Sequence, residues 1–262
     1  MEFEKPGDYL MRFADIHCHL LDSAFDFDRE QVIEEARRSG IFCIIESTQS
    51  YDEIQRAVEM SQKHRGLVYI SIGFDCTNFE EEDFRQVVLW LEKPWDGVVG
   101  VGEVGLDYYW VRDMEKRVVM ARRFKEFFKT AERLNLPLIV HSRSAGKYAV
   151  NMLKEWGGSR VVLHAFDGNE TYIRQGIQAG FYFSIPPSIV RSKQKKKLAK
   201  LVPLERMLLE SDAPVLSPDP TQRNVPQNVR VAAAEVASIK SCALEDVAEV
   251  TSRNAEKLFK IF

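Results

Sequence analysis

The chain has 262 residues, of which 45% are hydrophobic and 29% are charged, a composition typical of one large or two small globular domains. Its net charge of −3 excludes attraction of nucleic acid to the whole surface, so an anionic substrate must be held locally. No run approaches the roughly 18 apolar residues of a membrane span, which excludes an integral membrane protein built from helices.

Short apolar runs alternate with helix-like patterns along the chain. Gly40 is typical of a helix end, Asp52 of a helix cap, and Pro94 of a stop after the third helix. The apolar faces include Val118 on the long fourth helix and Tyr148 on the fifth. In chain order the predictions are a strand over 13–16, helix 28–39, strand 41–46, helix 54–61, strand 67–73, helix 84–91, strand 97–102, helix 113–135, strand 136–140, helix 148–153, strand 160–163, helix 173–177, strands 181–185 and 207–211, and helices 229–239 and 244–259.

Strict alternation of strands and helices predicts a parallel sheet, because parallel neighbours need crossover connections. Eight strands in about 250 residues favour a closed (β/α)8 TIM barrel, formed by residues 1–262 as a single hydrolase domain. An open, doubly wound sheet is the alternative. It would not gather side chains from five strand ends around one axis.

Imidazoles and carboxylates stand where the predicted strands end, which is the active face of a barrel. Such a set can bind divalent metal, and its size favours two ions. Each residue alone also has a structural explanation, such as a capping acid or a satisfied histidine. The residues are His17, His19, Glu103, His141, His164 and Asp212.

The spacing of His17 and His19 places both side chains on one face of the first strand, with Cys18 turned into the barrel wall. His64 lies in a charged helical stretch and is expected at the surface. The four cysteines are widely spaced, which argues against a disulfide framework or a zinc ribbon. The segment 1–6 has no apolar signal core, so we expect a cytoplasmic protein.

Several segments together resemble the TatD-type metal-dependent deoxyribonucleases of the amidohydrolase superfamily. The chain departs from the usual pattern at Ala165 and Asp167, where Cys and Ser are frequent, and at 219–222, where a Gly-rich stretch is usual. These departures concern substrate preference more than chemistry. The matching segments are 15–20, 101–108, 137–143, 164–166, 209–214, 223–226 and 254–259.

The resemblance implies a metal-dependent hydrolase that cleaves DNA phosphodiester bonds with a metal-activated water. It implies one ion on His17, His19 and Asp212, a second on His141 and His164, and Glu103 as the bridge, with Asp212 also accepting the proton of the water. Zinc, manganese or nickel suits such ligands better than magnesium.

The same water chemistry also serves an esterase, an amidohydrolase or a D-aminoacyl-tRNA deacylase. A nucleic-acid-binding barrel with a vestigial site is the non-enzymatic alternative. The complete ligand set argues against that last possibility.

Residues near the strand ends are candidates for binding DNA, as a single strand or at an end. Arg143 could equally bind a phosphate or form a salt bridge at the surface. Tyr108, Tyr109 and Trp110 are candidates for base stacking, although packing under their loop is favoured. The basic run 191–200 is expected on a solvated helix face more than along a nucleic-acid backbone. No membrane contact or obligate protein partner is expected.

Overall fold

The structure is a computed structural model that describes residues 11–92 and 96–261. Its strands form one parallel sheet in the order β1 to β8. The strands are β1 (Phe13–Cys18), β2 (Ile41–Ser47), β3 (Val68–Ile72), β4 (Val98–Gly105), β5 (Leu138–His141), β6 (Val161–Leu163), β7 (Tyr182–Ile185) and β8 (Met207–Leu209).

A helix follows each strand, and a further helix ends the described part of the chain. The helices are α1 (Arg29–Arg38), α2 (Tyr51–Lys63), α3 (Glu81–Trp90), α4 (Met114–Leu134), α5 (Gly146–Trp156), α6 (Glu170–Gln178), α7 (Lys193–Leu201), α8 (Val229–Lys240) and α9 (Leu244–Phe259).

The sheet closes on itself next to the site. The backbone N–H of Asp212, just past β8, donates to the carbonyl of His17 at 2.9 Å, and that of His19 donates to Ala213 at 2.8 Å. Consecutive strand order and this closure confirm the TIM barrel and exclude the open sheet.

The barrel interior is filled at its amino-terminal end by the last turn of α9. Phe259 and Ile261 pack with interior residues such as Ala14 and Val99, all of them buried. Arg160, which precedes β6, donates to the carbonyl of Leu258 at 2.6 Å and places α9 under this end. The opposite end of the barrel remains open for the site.

Most predicted elements are confirmed, with local corrections. Ser50, rather than Asp52, is the cap residue of α2. β4 continues two residues past Glu103. Val118 and Tyr148 were predicted on apolar faces but are 68% and 46% exposed. The end of α3 is described, while Pro94 and the segment 1–6 lie outside the described residues.

Among the helices of residues 11–92 and 96–261, none combines the length and the apolar character needed to cross a membrane. The cytoplasmic location and the extent of the domain over 1–262 stay predictions.

Candidate metal centre

β1 presents two imidazoles to the open end of the barrel. Its pairing with β2 gains one extra residue between Asp15 and Cys18, which is a β-bulge. His17, within the bulge, and His19, just past the end of β1, both reach the site. Cys18 is buried in the outer layer and its thiol donates to a β2 carbonyl, as predicted for the barrel wall.

Glu103 lies between two pairs of histidines. Its Oε2 is 3.2 Å from Nε2 of His17 and 3.3 Å from Nε2 of His19. Its Oε1 is 2.7 Å from Nδ1 of His141 and 3.4 Å from Nε2 of His164. Each carboxylate oxygen therefore faces a different pair, which is the arrangement a bridging ligand requires.

Glycines allow the backbone of β4 to carry Glu103 so close to its neighbours. Gly105 has a φ of +146°, and a Cβ there would lie 2.1 Å from the carbonyl oxygen of His141. A Cβ at Gly73, just past the end of β3, would lie 2.3 Å from the backbone nitrogen of Glu103. Only glycine fits either position without displacing the site.

Asp212 completes the side of the site formed by β1. Its Oδ1 lies 3.5 Å from Nε2 of His17 and 3.6 Å from Nε2 of His19. The residue has a φ of 54°, a left-handed conformation that aspartate tolerates better than most residues. β8 ends at Leu209, so Asp212 projects from the loop after the strand rather than from the strand itself.

Polar groups behind the histidines hold the rings in place. Ser47, at the end of β2, has its Oγ 2.8 Å from Nδ1 of His17 and its carbonyl oxygen 2.9 Å from Nδ1 of His19. Asp107 Oδ2 lies 2.9 Å from Nε2 of His141. Such contacts fix ring orientation and raise the basicity of a metal ligand.

Glu210 lies beneath His164 without a hydrogen bond to its Nδ1, which has no such partner among the described residues. It accepts hydrogen bonds from the N–H of Ala165 at 2.7 Å and the hydroxyl of Ser184 at 2.6 Å, and lies 3.5 Å from Nδ1 of His164. The sequence interpretation missed this residue together with Ser47 and Asp107. A signal was present for the acids, since both stand in the matching segments 101–108 and 209–214.

The carboxylates shift the pKa values of the imidazoles in the metal-free protein. Burial would lower the pKa of His141, but Glu103 and Asp107 outweigh it and raise that pKa to about 9. Burial is likewise outweighed at His164, whose pKa is raised to about 10 by Glu103 and Glu210. The same histidines hold the pKa of Glu103 well below its usual range, against the effect of burial. An ion that binds here has to displace protons.

The residues present fit a bound divalent cation. Within the described part of the chain, the buried Nε2 of His17 has no hydrogen-bond partner. It belongs to two groups whose ligand atoms lie within 4.8 Å of one another, His17 with His19 and Asp212, and His17 with Glu103 and His164. Imidazole nitrogen and carboxylate oxygen are the donors of zinc-type ions.

A cavity of about 620 Å³ opens above these ligands. Besides the ligands, its wall contains two cationic side chains, Arg143 and Lys195, and two further carboxylates, Asp22 and Asp167. The guanidinium of Arg143, for which the sequence left two roles open, thus borders the site.

The aromatic loop after β4 divides into two parts. None of Tyr108, Tyr109 and Trp110 is among the described residues that line the cavity. The Tyr108 ring packs 5.0 Å from the Tyr148 ring and under the guanidinium of Arg117. Tyr109 and Trp110 are 44% and 66% exposed, and Arg143 stacks over the Tyr109 ring at 4.1 Å. The geometry therefore favours Tyr109 and Trp110 over Tyr108 as contacts for a ligand.

The expectation of a solvated basic helix is wrong at one position of the run 191–200. Lys195 is 8% exposed and lines the cavity. The signal in the sequence is its position three and four residues before the buried Leu198 and Ala199, within the apolar stripe of α7.

His64 lies away from the cavity, where it caps α2 and pairs with Glu30 at 3.1 Å.

Residues 14–260 match the family model described as TatD related DNase. The human deoxyribonuclease TATDN3 is 38% identical, over 94% of each chain. The uncharacterized metal-dependent hydrolase YabD of Bacillus subtilis is 33% identical, over 94% of this chain and 98% of its own. The crystal structure of YJJV, a TatD homologue from Escherichia coli K12, superposes with a TM-score of 0.88 at 26% identity, over 97% of this chain and 100% of its own.

Proposed function

Because this chain belongs to the family of TatD-related DNases and is a metal-dependent hydrolase, we propose that it cleaves DNA phosphodiester bonds at a centre of two divalent ions. The observation that carries the proposal is the position of Glu103. Its two oxygens face two separate pairs of imidazoles, as a carboxylate shared by two ions would.

In this proposal the ligand atoms form two sets that share Glu103. His17 Nε2, His19 Nε2 and Asp212 Oδ1 would hold one ion with Glu103 Oε2. His141 Nδ1 and His164 Nε2 would hold the other with Glu103 Oε1. Zinc, manganese and nickel accept this mixture of nitrogen and oxygen, while magnesium prefers oxygen alone.

The protein side chains supply proton transfer and orientation. Bound divalent ions polarise the phosphodiester and make a water molecule acidic enough to attack near neutral pH. Burial would raise the pKa of Asp212, but His17 and His19 hold it well below its usual range, so the carboxylate is ionised. It would therefore be free to accept the proton of a water bound at the centre. Ser47 and Asp107 hold the imidazoles in their orientation.

The surface around the cavity favours unpaired nucleotides. Trp110 and Tyr109 expose aromatic rings beside Arg143. Tyr51, the first residue of α2, and Val215, in the loop after β8, are 40% and 55% exposed. Bases stack on exposed rings only where they are unpaired. DNA as a single strand or at an end is therefore the proposed substrate.

A screen of metals against substrates tests this function. The protein is stripped with a chelator and refilled with zinc, manganese, nickel or magnesium, and is then given end-labelled single-stranded and duplex DNA, simple esters and D-aminoacyl-tRNA. We expect metal-dependent cleavage of DNA, faster on single strands. Turnover of esters or aminoacyl-tRNA without DNA cleavage under any metal would assign the chain to the other hydrolytic class.

A further inference from the structure

One lysine of α7 differs from the others in its surroundings. Lys196 pairs with Glu235 at 2.7 Å and Lys197 with Glu170 at 2.9 Å, both on the outer surface. Lys195 points the opposite way and is buried. Its ammonium group is consequently the one cation that α7 directs into the cavity, among the described residues.

The ammonium of Lys195 is held by the loop that follows β6. Its Nζ donates to the carbonyl oxygens of Ala165 and Phe166, the latter at 3.1 Å. Within residues 11–92 and 96–261, no carboxylate lies at ion-pair distance from it. Two carbonyls occupy two of the three N–H donors of an ammonium group, so one donor has no acceptor among the described residues. Lys195 lines the cavity, where a ligand could supply that acceptor.

Support of this loop does not by itself require a charge. The neutral amide of Gln194, the preceding residue, donates to the carbonyls of Phe166 and Gly168 at 3.0 and 3.3 Å. A buried ammonium is costly, and burial lowers the pKa of Lys195. The carboxylates of Glu210, Asp167 and Asp212 offset part of that cost without reaching ion-pair distance. The loop therefore does not need the charge of Lys195, and that charge is available to an anionic ligand.

The position of Lys195 complements that of the metal ligands. β1, β4, β5, β6 and the loop after β8 supply those ligands, whereas β7 supplies none. Lys195 stands on the helix after β7, and Arg143 on the loop after β5. Both cations line the cavity from separate elements, and both would meet a phosphate that enters it.

We propose that Lys195 binds a non-bridging phosphate oxygen of the substrate through its free N–H donor. This inference rests on the proposed DNase function. It assigns Lys195 to substrate binding, in addition to its hold on the loop after His164.

Kinetics of a matched pair of variants test the assignment. Lys195→Gln keeps donors for the loop carbonyls and removes the charge, while Lys200→Met removes an exposed lysine of the same helix. Loss of a charge-assisted hydrogen bond predicts a KM for single-stranded DNA that is higher by roughly 10- to 100-fold. The kcat and the metal concentration for half-maximal activity should change by less than about threefold, and Lys200→Met should match the wild type.

A shift in half-saturating metal with an unchanged KM would mean that Lys195 acts only through the His164 loop, and would overturn the proposal. Lys195→Met, an uncharged chain of similar length, serves if the glutamine variant does not fold in thermal unfolding controls.

Calorimetry with inorganic phosphate separates this inference from the function itself. Phosphate should bind metal-loaded Lys195→Gln about tenfold more weakly than the wild type or Lys200→Met. Equal binding would refute the role of Lys195, whatever the substrate. If the wild type fails to cleave DNA while the loss of phosphate binding persists, the DNase proposal fails and the anion site stands.

Discussion

Replacement of Asp212 by asparagine should abolish most of the activity without unfolding the protein. Asparagine keeps the shape of the side chain and tolerates the φ of 54° found at this position. The backbone N–H of residue 212 still donates to His17, so the closure of the barrel is preserved. The variant loses the negative charge and the oxygen that would accept the proton of water.

The size of the effect follows from the two roles of the carboxylate. Loss of a general base costs on the order of 10²–10⁴ in rate, about 3–5 kcal/mol of transition-state stabilisation. Oδ1 also lies 3.5 and 3.6 Å from the Nε2 atoms of His17 and His19, so the binding of one ion should weaken. The rates must therefore be compared at saturating metal.

The assay is turnover of labelled single-stranded DNA by folded, metal-saturated wild type and Asp212→Asn. His64→Ala is the control, because His64 pairs with Glu30 between α1 and α2 and should leave turnover unchanged. A loss of less than about tenfold in Asp212→Asn would show that Asp212 is neither the base nor an essential ligand. The proton transfer would then have to be assigned to Glu103 or to another group.

Further predictions concern the metals and the substrate surface. Elemental analysis of the saturated wild type should give about two ions per chain, and Glu103→Gln should bind at most one; a wild-type stoichiometry of one would contradict the two-ion centre. Asp107→Asn should weaken metal binding about 10- to 100-fold by releasing His141, which titration with a metal indicator measures; unchanged affinity would remove Asp107 from the support of the site. Removal of metal by a chelator should lower the Tm of the wild type, and added metal should raise the Tm as its concentration increases. A Tm that does not change with metal concentration would argue against binding to the native state. Trp110→Ala should raise the KM for single-stranded DNA about tenfold through lost stacking and leave inorganic phosphate binding unchanged; an unaffected KM would place the bases elsewhere.

The barrel and the positions of the ligands could be predicted because parallel strands align their carboxyl ends. A residue such as His141 or His164, directly after an apolar run, is placed on the ring of strand ends by chain order alone. The alternation of apolar runs and helices was therefore enough to predict where the ligands lie around the barrel axis. The contacts of each nitrogen depend on register, and the bulge in β1 between Asp15 and Cys18 has no signature that periodicity reveals.

The supporting residues were harder to predict, because their roles depend on which side of the wall they face. Ser47 supports both histidines of β1 through one hydroxyl and one carbonyl, and nothing in its sequence context distinguishes it from an ordinary strand end. Lys195 was assigned to solvent because four neighbouring lysines dominate the composition of α7. Lys195 is nevertheless buried, because it lies on the same face of α7 as Leu198 and Ala199.

The last turn of α9, together with Ile261, covers the amino-terminal end of the barrel interior. A nascent chain that ends at Lys240 already contains every proposed ligand from His17 to Asp212, yet lacks Phe259 and Ile261, which cover Ala14 and Val99. The hydrogen bond between Ser211 and Asp15 joins residues 196 positions apart, so the two ends of the sheet meet only through contacts between distant parts of the chain. Removal of α9 and Ile261 should therefore abolish the proposed hydrolysis although every proposed ligand is kept, because the interior of the barrel would lose its cover.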